Sequence, residues 1–335
     1  MKVLIVNQSE VAEWLPMHEC IEVMAEAFKM LAAGKTILPL RPIMWLPERF
    51  GALGMMPAYM QDLNAMGLKV LTIFPGNHGT SYDSHQGAVL LFEAKHGCLL
   101  AIMDATEITA IRTAAVSGLA TKLLAREDAG DLAILGAGTQ ARTHLEAMRL
   151  ARKITRVRVW SRNADHAKKF AARESQRFNI NIETRPTAKE AVIGADIICT
   201  TTAAAEPVVS GEWLKAGAHL NAVGAFTPLT RELDTAAMLK SRLFVDRRES
   251  ALNEAGDFII PKTEGALDDS HIRGEIGEIL LGQIAGRTSP DEITLFKSLG
   301  LAIEDLASAQ HIYTKMLEKG AGTWVELGGS RRETD

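Results

Sequence analysis

Along residues 131–245, short apolar runs alternate with stretches of helical spacing. "DLAILGAG" leads into a helical segment reaching about Leu150, and "RVRVWSR" into the helical "ADHAKKFAARESQRF". "NIETRP", a short helix, "ADIICTTT", "AHLNAVGA", the helical "RELDTAAMLKS" and "RLFVDRR" follow. This alternation predicts a parallel sheet covered on both faces. Wholly apolar strands such as Ala133–Leu135 and Ile197–Ile198 suit a sheet buried on both sides. Residues 1–103 differ. After a helix-like stretch from Pro16 to Ala33, "PLRPIMWLP", "GALGMMPAY", "AMGLKVLTIF", "QGAVLLFEA" and "GCLLAIMDA" follow at meander spacing, which predicts an antiparallel sheet. "ATEITAIRTAAVSGLATKLLA" reads as a long helix entering the alternating region. "SLGLAIEDLASAQHIYTKMLEKG" reads as an amphipathic helix returning to the first domain.

Within the alternating region, Gly136, Gly138 and Ala141 fit G-x-G-x-x-[GA] between a strand and a helix. The first glycine permits the tight turn and the second lets a pyrophosphate approach the backbone. The small third residue lets helix and strand pack closely, and the helix start at Thr139 and Gln140 offers free N–H groups to the phosphates. A Rossmann-type, doubly wound α/β domain over 121–299 follows. It is joined to a discontinuous α+β domain over 1–120 and 300–330, with 331–335 a disordered tail. In an NAD site an acid usually closes the second strand, roughly 20 residues on, and bonds the ribose 2′-hydroxyl. Here that strand ends in Ser161, Arg162 and Asn163. A serine and a guanidinium suit a 2′-phosphate. NADP(H) is therefore the favoured cofactor, with NAD(H) the alternative.

The 335 residues exceed one ordinary core, and 47% apolar with 23% charged residues is a globular balance. A net charge of −4 gives no general affinity for nucleic acid or an anionic membrane. Cys20, Cys98 and Cys199 form no C-x-x-C pair, which suits a reduced cytoplasmic protein and points to no metal site. "MKVLIVNQSE" is too short in its apolar run for a signal peptide and reads as a first strand. No stretch nears the ~18 apolar residues of a membrane span.

Candidate chemistry in the first half is basic. Arg41, Lys69 and Arg112 each sit in apolar context, where a buried charge needs a partner or a ligand. Together they could bind a carboxylate, and Lys69 could move a proton. Snorkelling, or ion pairs with some of the acidic residues, is the alternative for each. His85, in "SYDSHQGA", is either functional or a loop-bonding residue.

Taken together, "GMMPAY", "GLKVLTIFPGN", "SHQGAVLLFEAKHGCLLAIMDATEITAIRTAAVSGLATKLLA", "AILGAGTQA", "GAHLNAVGAFTPLTRELD" and "TLFKSLGLAIEDLASA" resemble the ornithine cyclodeaminase/mu-crystallin family over nearly the whole chain. They are closer to its mu-crystallin, ketimine-reductase branch. The resemblance implies a homodimer, with 1–120 and 300–330 as the dimerisation and substrate domain. It implies that Arg41, Lys69 and Arg112 hold a substrate carboxylate, that Lys69 and Arg112 are catalytic, and that Met56, Phe226 and Leu299 lie beside the substrate. It places Ser81, Arg112, Thr113, Thr201, Thr202, Val223, Gly224 and Ser298 along the cofactor. One departure matters. Cyclodeaminases carry a catalytic Asp in "GGD-x-P-G-K", whereas this chain reads "VGAFTPLTREL" with Phe226 in its place. The expected function is therefore an NAD(P)H-dependent imine reductase or amino-acid dehydrogenase acting on a small carboxylate-bearing substrate. The alternatives are ornithine cyclodeaminase with recycled NAD, and a non-catalytic NADP-dependent carrier.

Overall fold

The structure, a computed structural model, describes residues 2–77 and 80–329. The predicted tail at 331–335 lies outside the described residues. The chain forms two compact units, one of residues 1–112 with 301–335, the other of 113–300.

The first unit is built on an eight-stranded sheet. Its centre is an antiparallel meander of strands Ala52–Met60, Ala65–Ile73, His85–Glu93 and Leu99–Asp104, as the spacing predicts. The sheet is mixed, however: strand Lys2–Val6 runs parallel to Leu99–Asp104 and antiparallel to Thr323–Glu326. The helices Met17–Ala32 and Ala302–Lys319 belong to this unit. Gly67 lets the second of these lie close on the sheet, because a Cβ there would come within 2.9 Å of Leu306 Cδ1. Side chains two apart in a strand share a face, so Lys69 points the same way as the Gly67 notch.

The second unit is a wholly parallel eight-stranded sheet. Its spatial order is Ile182–Thr184, Arg156–Trp160, Asp131–Leu135, Ile197–Thr200, His219–Ala222, Ile293–Lys297, Ser241–Val245 and Ile272–Glu275. The order reverses between Asp131–Leu135 and Ile197–Thr200. In such sheets ligands bind outside the carboxyl ends of the strands, at this reversal. The central strands carry fully buried Ala133, Leu135, Ile198, Leu220 and Leu295, the two-sided burial that their apolar runs predict.

The long helix observed is Ala105–Leu124, and the division between units falls within it, after Arg112. Among the described residues no helix is long and apolar enough to cross a membrane.

Candidate active site

The first unit gathers Lys69 and Arg112 into one buried cluster with two carboxylates. Lys69 stands mid-strand, with Met56 and Val89 directly opposite on the neighbouring strands. Its Nζ lies 2.7 Å from Asp305 Oδ2 and 3.3 Å from Thr109 Oγ1. Arg112 donates from Nε to Asp305 Oδ1 at 3.1 Å and from Nη1 to Glu304 Oε2 at 2.5 Å. Both carboxylates lie in the first turn of helix Ala302–Lys319, where the helix dipole favours negative charge. Glu304 also closes that helix end, since its Oε1 accepts from Leu301 N at 2.9 Å. All four side chains are at most 5% exposed. Of the two readings left open by the sequence, ligand site or ion pairs, the structure shows the second for Lys69 and Arg112: both are paired with acids.

Electrostatics tune this cluster. Burial, with the Arg112 guanidinium and, more weakly, Arg41, pushes the Lys69 ammonium down to about 8, against the pull of Asp305. An amine near 8 holds its proton through neutral pH and can release it, the condition for a general acid. Arg112 is raised, because Asp305 and Glu304 outweigh its burial. It therefore stays charged. Arg41 is half-buried. Met56 is buried beside Lys69, and Ser81 lies in an exposed loop. His85 opens strand His85–Glu93, its Nδ1 3.0 Å from Ser84 Oγ.

The second unit presents the glycine turn at the strand reversal. Gly136 has φ +116°, and a Cβ there would lie 2.6 Å from the Thr201 carbonyl oxygen, so only glycine fits. Gly138 caps helix Thr139–Ala151 without a side-chain hydrogen bond, and nothing lies within 4 Å of where its Cβ would be. Ala141 is fully buried. This open, uncapped helix start, with its free N–H groups, fits a pyrophosphate. Ser161 and the exposed Arg162 follow strand Arg156–Trp160. Asn163 caps helix Ala164–Phe178 through its Oδ1, accepting from Asp165 N and His166 N.

Further along the same sheet end, Thr201 donates from N and Oγ1 to Leu135 O. Ser298 is buried, and its Oγ finds no partner among the described residues, as a side chain awaiting a ligand would. Leu299 donates to Asp246 Oδ2, and Phe226 is 37% exposed. The sequence does not single out Glu232. This fully buried carboxylate accepts from Thr200 Oγ1, Thr202 N, Thr202 Oγ1 and Gly224 N at 2.6–2.7 Å, tying together two of the expected cofactor loops. Burial first, and then Asp257, raise it above the usual carboxylate range. Its own backbone N–H is held by Asp257, which pairs with buried Lys297 at 2.8 Å. The signal that could have found Asp257 and Lys297 is a lone charge next to apolar residues, whereas Glu232 lies among the charges of "RELD" and carries no such signal.

The full-length comparisons bear on this arrangement. The ornithine cyclodeaminase/mu-crystallin family model matches residues 1–320. The chain belongs to the ornithine cyclodeaminase/mu-crystallin family. Delta(1)-pyrroline-2-carboxylate reductase of Bacillus cereus is 38% identical over 325 residues, 97% of this chain and 100% of that protein. Ketimine reductase mu-crystallin of Mus musculus is 42% identical over 280 residues, 84% and 85% of the two chains. Thermococcus litoralis Delta(1)-pyrroline-2-carboxylate reductase, solved with NADH and L-proline, superposes with a TM-score of 0.93 at 44% identity, covering 96% of this chain and 99% of that one.

Helix Thr139–Ala151, which opens at the glycine turn, is anchored by a neutral histidine. Nδ1 of His144 donates to Gln140 O at 2.7 Å, and Nε2 accepts from Ser117 Oγ at 2.9 Å. Burial pushes its pKa down to about 4. The unfolded ring titrates near 6.5, so the folded form binds fewer protons between these limits. The stability contributed is complete above about pH 6.5 and falls by about 1.4 kcal/mol per pH unit as pH drops toward 4. His144→Gln is expected to flatten the acid side of the Tm–pH curve by one proton's slope. An unchanged slope would show that His144 is not held neutral.

Proposed function

We propose that the protein is an NAD(P)H-dependent imine reductase whose substrate is a small cyclic ketimine carrying a carboxylate on the imine carbon, with amino-acid dehydrogenation as its reverse. The observation that carries this reading is the buried cluster of the first unit. Arg41, Lys69 and Arg112 set three cations against the two carboxylates Glu304 and Asp305. A substrate carboxylate is drawn to the Arg112 guanidinium, which stays charged, beside the Lys69 amine.

The dinucleotide, when bound, supplies a hydride to the imine carbon. Gly136, Gly138, Thr139, Gln140 and Ala141 would hold its pyrophosphate; Thr201, Thr202, Val223, Gly224 and Ser298 would hold its nicotinamide end. Arg112 and Arg41 bind the substrate carboxylate. Lys69 gives its proton to the ring nitrogen as C=N becomes CH–NH. Met56 offers an apolar surface beside Lys69, and each ring CH₂ removed from water contributes roughly 0.8 kcal/mol. Phe226 stands where a cyclodeaminase carries its Asp, so ornithine's second amine meets no carboxylate there. The expected result is one NAD(P)H consumed per Δ1-pyrroline-2-carboxylate or Δ1-piperideine-2-carboxylate, and no ammonia from ornithine. Proline and ammonia formed from ornithine with catalytic NAD⁺ would overturn the assignment.

The dinucleotide preference follows from the second strand's end. Ser161 and Arg162 favour NADPH, since no acid opposes the 2′-phosphate. Ser161→Asp is expected to move the preference toward NADH by at least tenfold, about 1.4 kcal/mol. Tighter NADH than NADPH binding in the wild type would refute this. A homodimer is consistent with exposed Ile37, Met44, Trp45 and Phe50 in the first unit. Sedimentation velocity reads it directly.

A further inference from the structure

We propose that the substrate's own carboxylate loads the proton onto Lys69, and that Asp305 is the positioning residue holding the amine for it. This rests on the imine-reductase reading above. The groups facing Lys69 come from four elements. Asp305 and Glu304 lie on helix Ala302–Lys319, with Asp305 in direct contact at 2.7 Å. Arg112 and Thr109 lie on helix Ala105–Leu124. Arg41 contributes a weaker repulsion. The neighbouring strands place Met56 and Val89, both uncharged, opposite it.

Within this ring the carboxylates are already committed. Glu304 is shared between Arg112 and the helix end at Leu301, and Asp305 is divided between Arg112 and Lys69. The amine therefore shares one anion with a guanidinium while two guanidiniums repel it. That balance, with burial, leaves its pKa at about 8. A carboxylate arriving on Arg112 and Arg41 offsets both repulsions. One such charge at about 5 Å in a protein interior raises an amine by on the order of one to two pH units. The amine then takes up a proton as the substrate binds. An imine without a carboxylate would meet a partly uncharged amine at and above pH 8. Discrimination then falls on the rate of proton transfer as well as on binding.

The experiment is calorimetric titration of the full chain, saturated with NADH, with L-proline, which does not react with the reduced cofactor. It is done in buffers of different ionisation enthalpy to count protons, and Lys69→Arg gives the baseline because a guanidinium does not titrate in this range. The wild type is expected to take up ~0.4 proton more than Lys69→Arg per proline at pH 8, and almost none more at pH 6.5, where Lys69 is already charged. Pyrrolidine, lacking the carboxylate, is expected to cause no uptake. Asp305→Asn should move the pH of greatest uptake down by one unit or more, and Asp305→Glu should restore it. Equal uptake in wild type and Lys69→Arg overturns the proposal. An unmoved optimum in Asp305→Asn removes Asp305 from it. If Asp305→Asn does not fold, the wild type and Lys69→Arg still decide the matter. Proline binding without proton uptake defeats this inference alone, whereas no proline binding defeats the imine-reductase reading as well.

Discussion

Lys69→Met is expected to fold, to bind dinucleotide as the wild type does, and to reduce a cyclic ketimine carboxylate ~10³-fold more slowly, the usual worth of a positioned acid. Three features make the loss specific. The amine is the acid within the cluster whose pKa, about 8, lies close to working pH. Its removal leaves Asp305 still bonded to Arg112 Nε, so the remaining carboxylate keeps a cationic partner. Methionine fills the space between Met56 and Val89 with similar volume. The loss should therefore fall on kcat, with KM moved less because Arg41 and Arg112 still bind the carboxylate. Single-turnover decay of NADPH absorbance across pH measures it. A rate within threefold of wild type would show that the proton comes from elsewhere.

Arg112→Ala is expected to do two kinds of damage, and they can be separated. Read from the sequence, the change costs about 2 kcal/mol of transition-state binding and spares the helix, because alanine is the best helix former. The structure adds a second cost. Arg112 is bonded to two carboxylates that are almost wholly buried, and Asp305 then keeps Lys69 while Glu304 keeps the Leu301 N–H. Breaking a buried ion pair by removing one partner costs about 3–5 kcal/mol. The variant should lose that much stability in chemical denaturation as well as its activity. Arg112→Met combined with Glu304→Gln removes charge from both sides and keeps an acceptor for Leu301. It should regain most of the stability and none of the activity. Unchanged kcat/KM in Arg112→Ala would take Arg112 out of the site, and undiminished stability would show that its ion pairs contribute little.

The parallel sheet and glycine turn of the second unit were legible because their signals are local. The positive φ of +116° at Gly136 and the small Ala141 appear within ten residues of sequence, although the Thr201 carbonyl that also excludes a Cβ at Gly136 lies far along the chain. Alternating apolar runs likewise gave the parallel sheet, since a strand buried on both faces must be apolar throughout. Less visible were elements whose existence depends on a partner. The parallel pairing of Lys2–Val6 with Leu99–Asp104, and the strands Ile272–Glu275 and Thr323–Glu326, are fixed by pairing and not by their own pattern. In the substrate half, Arg41, Lys69 and Arg112 stood out as charges in apolar context, and the resemblance gave them a role. Their counter-ions did not stand out. Glu304 and Asp305 lie 192 and 193 positions from Arg112, in a helix whose acids could as well have faced water. Whether an acid is solvated or held against a guanidinium depends on what tertiary packing removes from water around it, and desolvation has no local signature. The sequence by itself therefore determined the glycine turn between strand and helix, and which cations sit in apolar surroundings. Only the tertiary structure decided how much of that positive charge is already spent, and so how strongly Lys69 holds its proton.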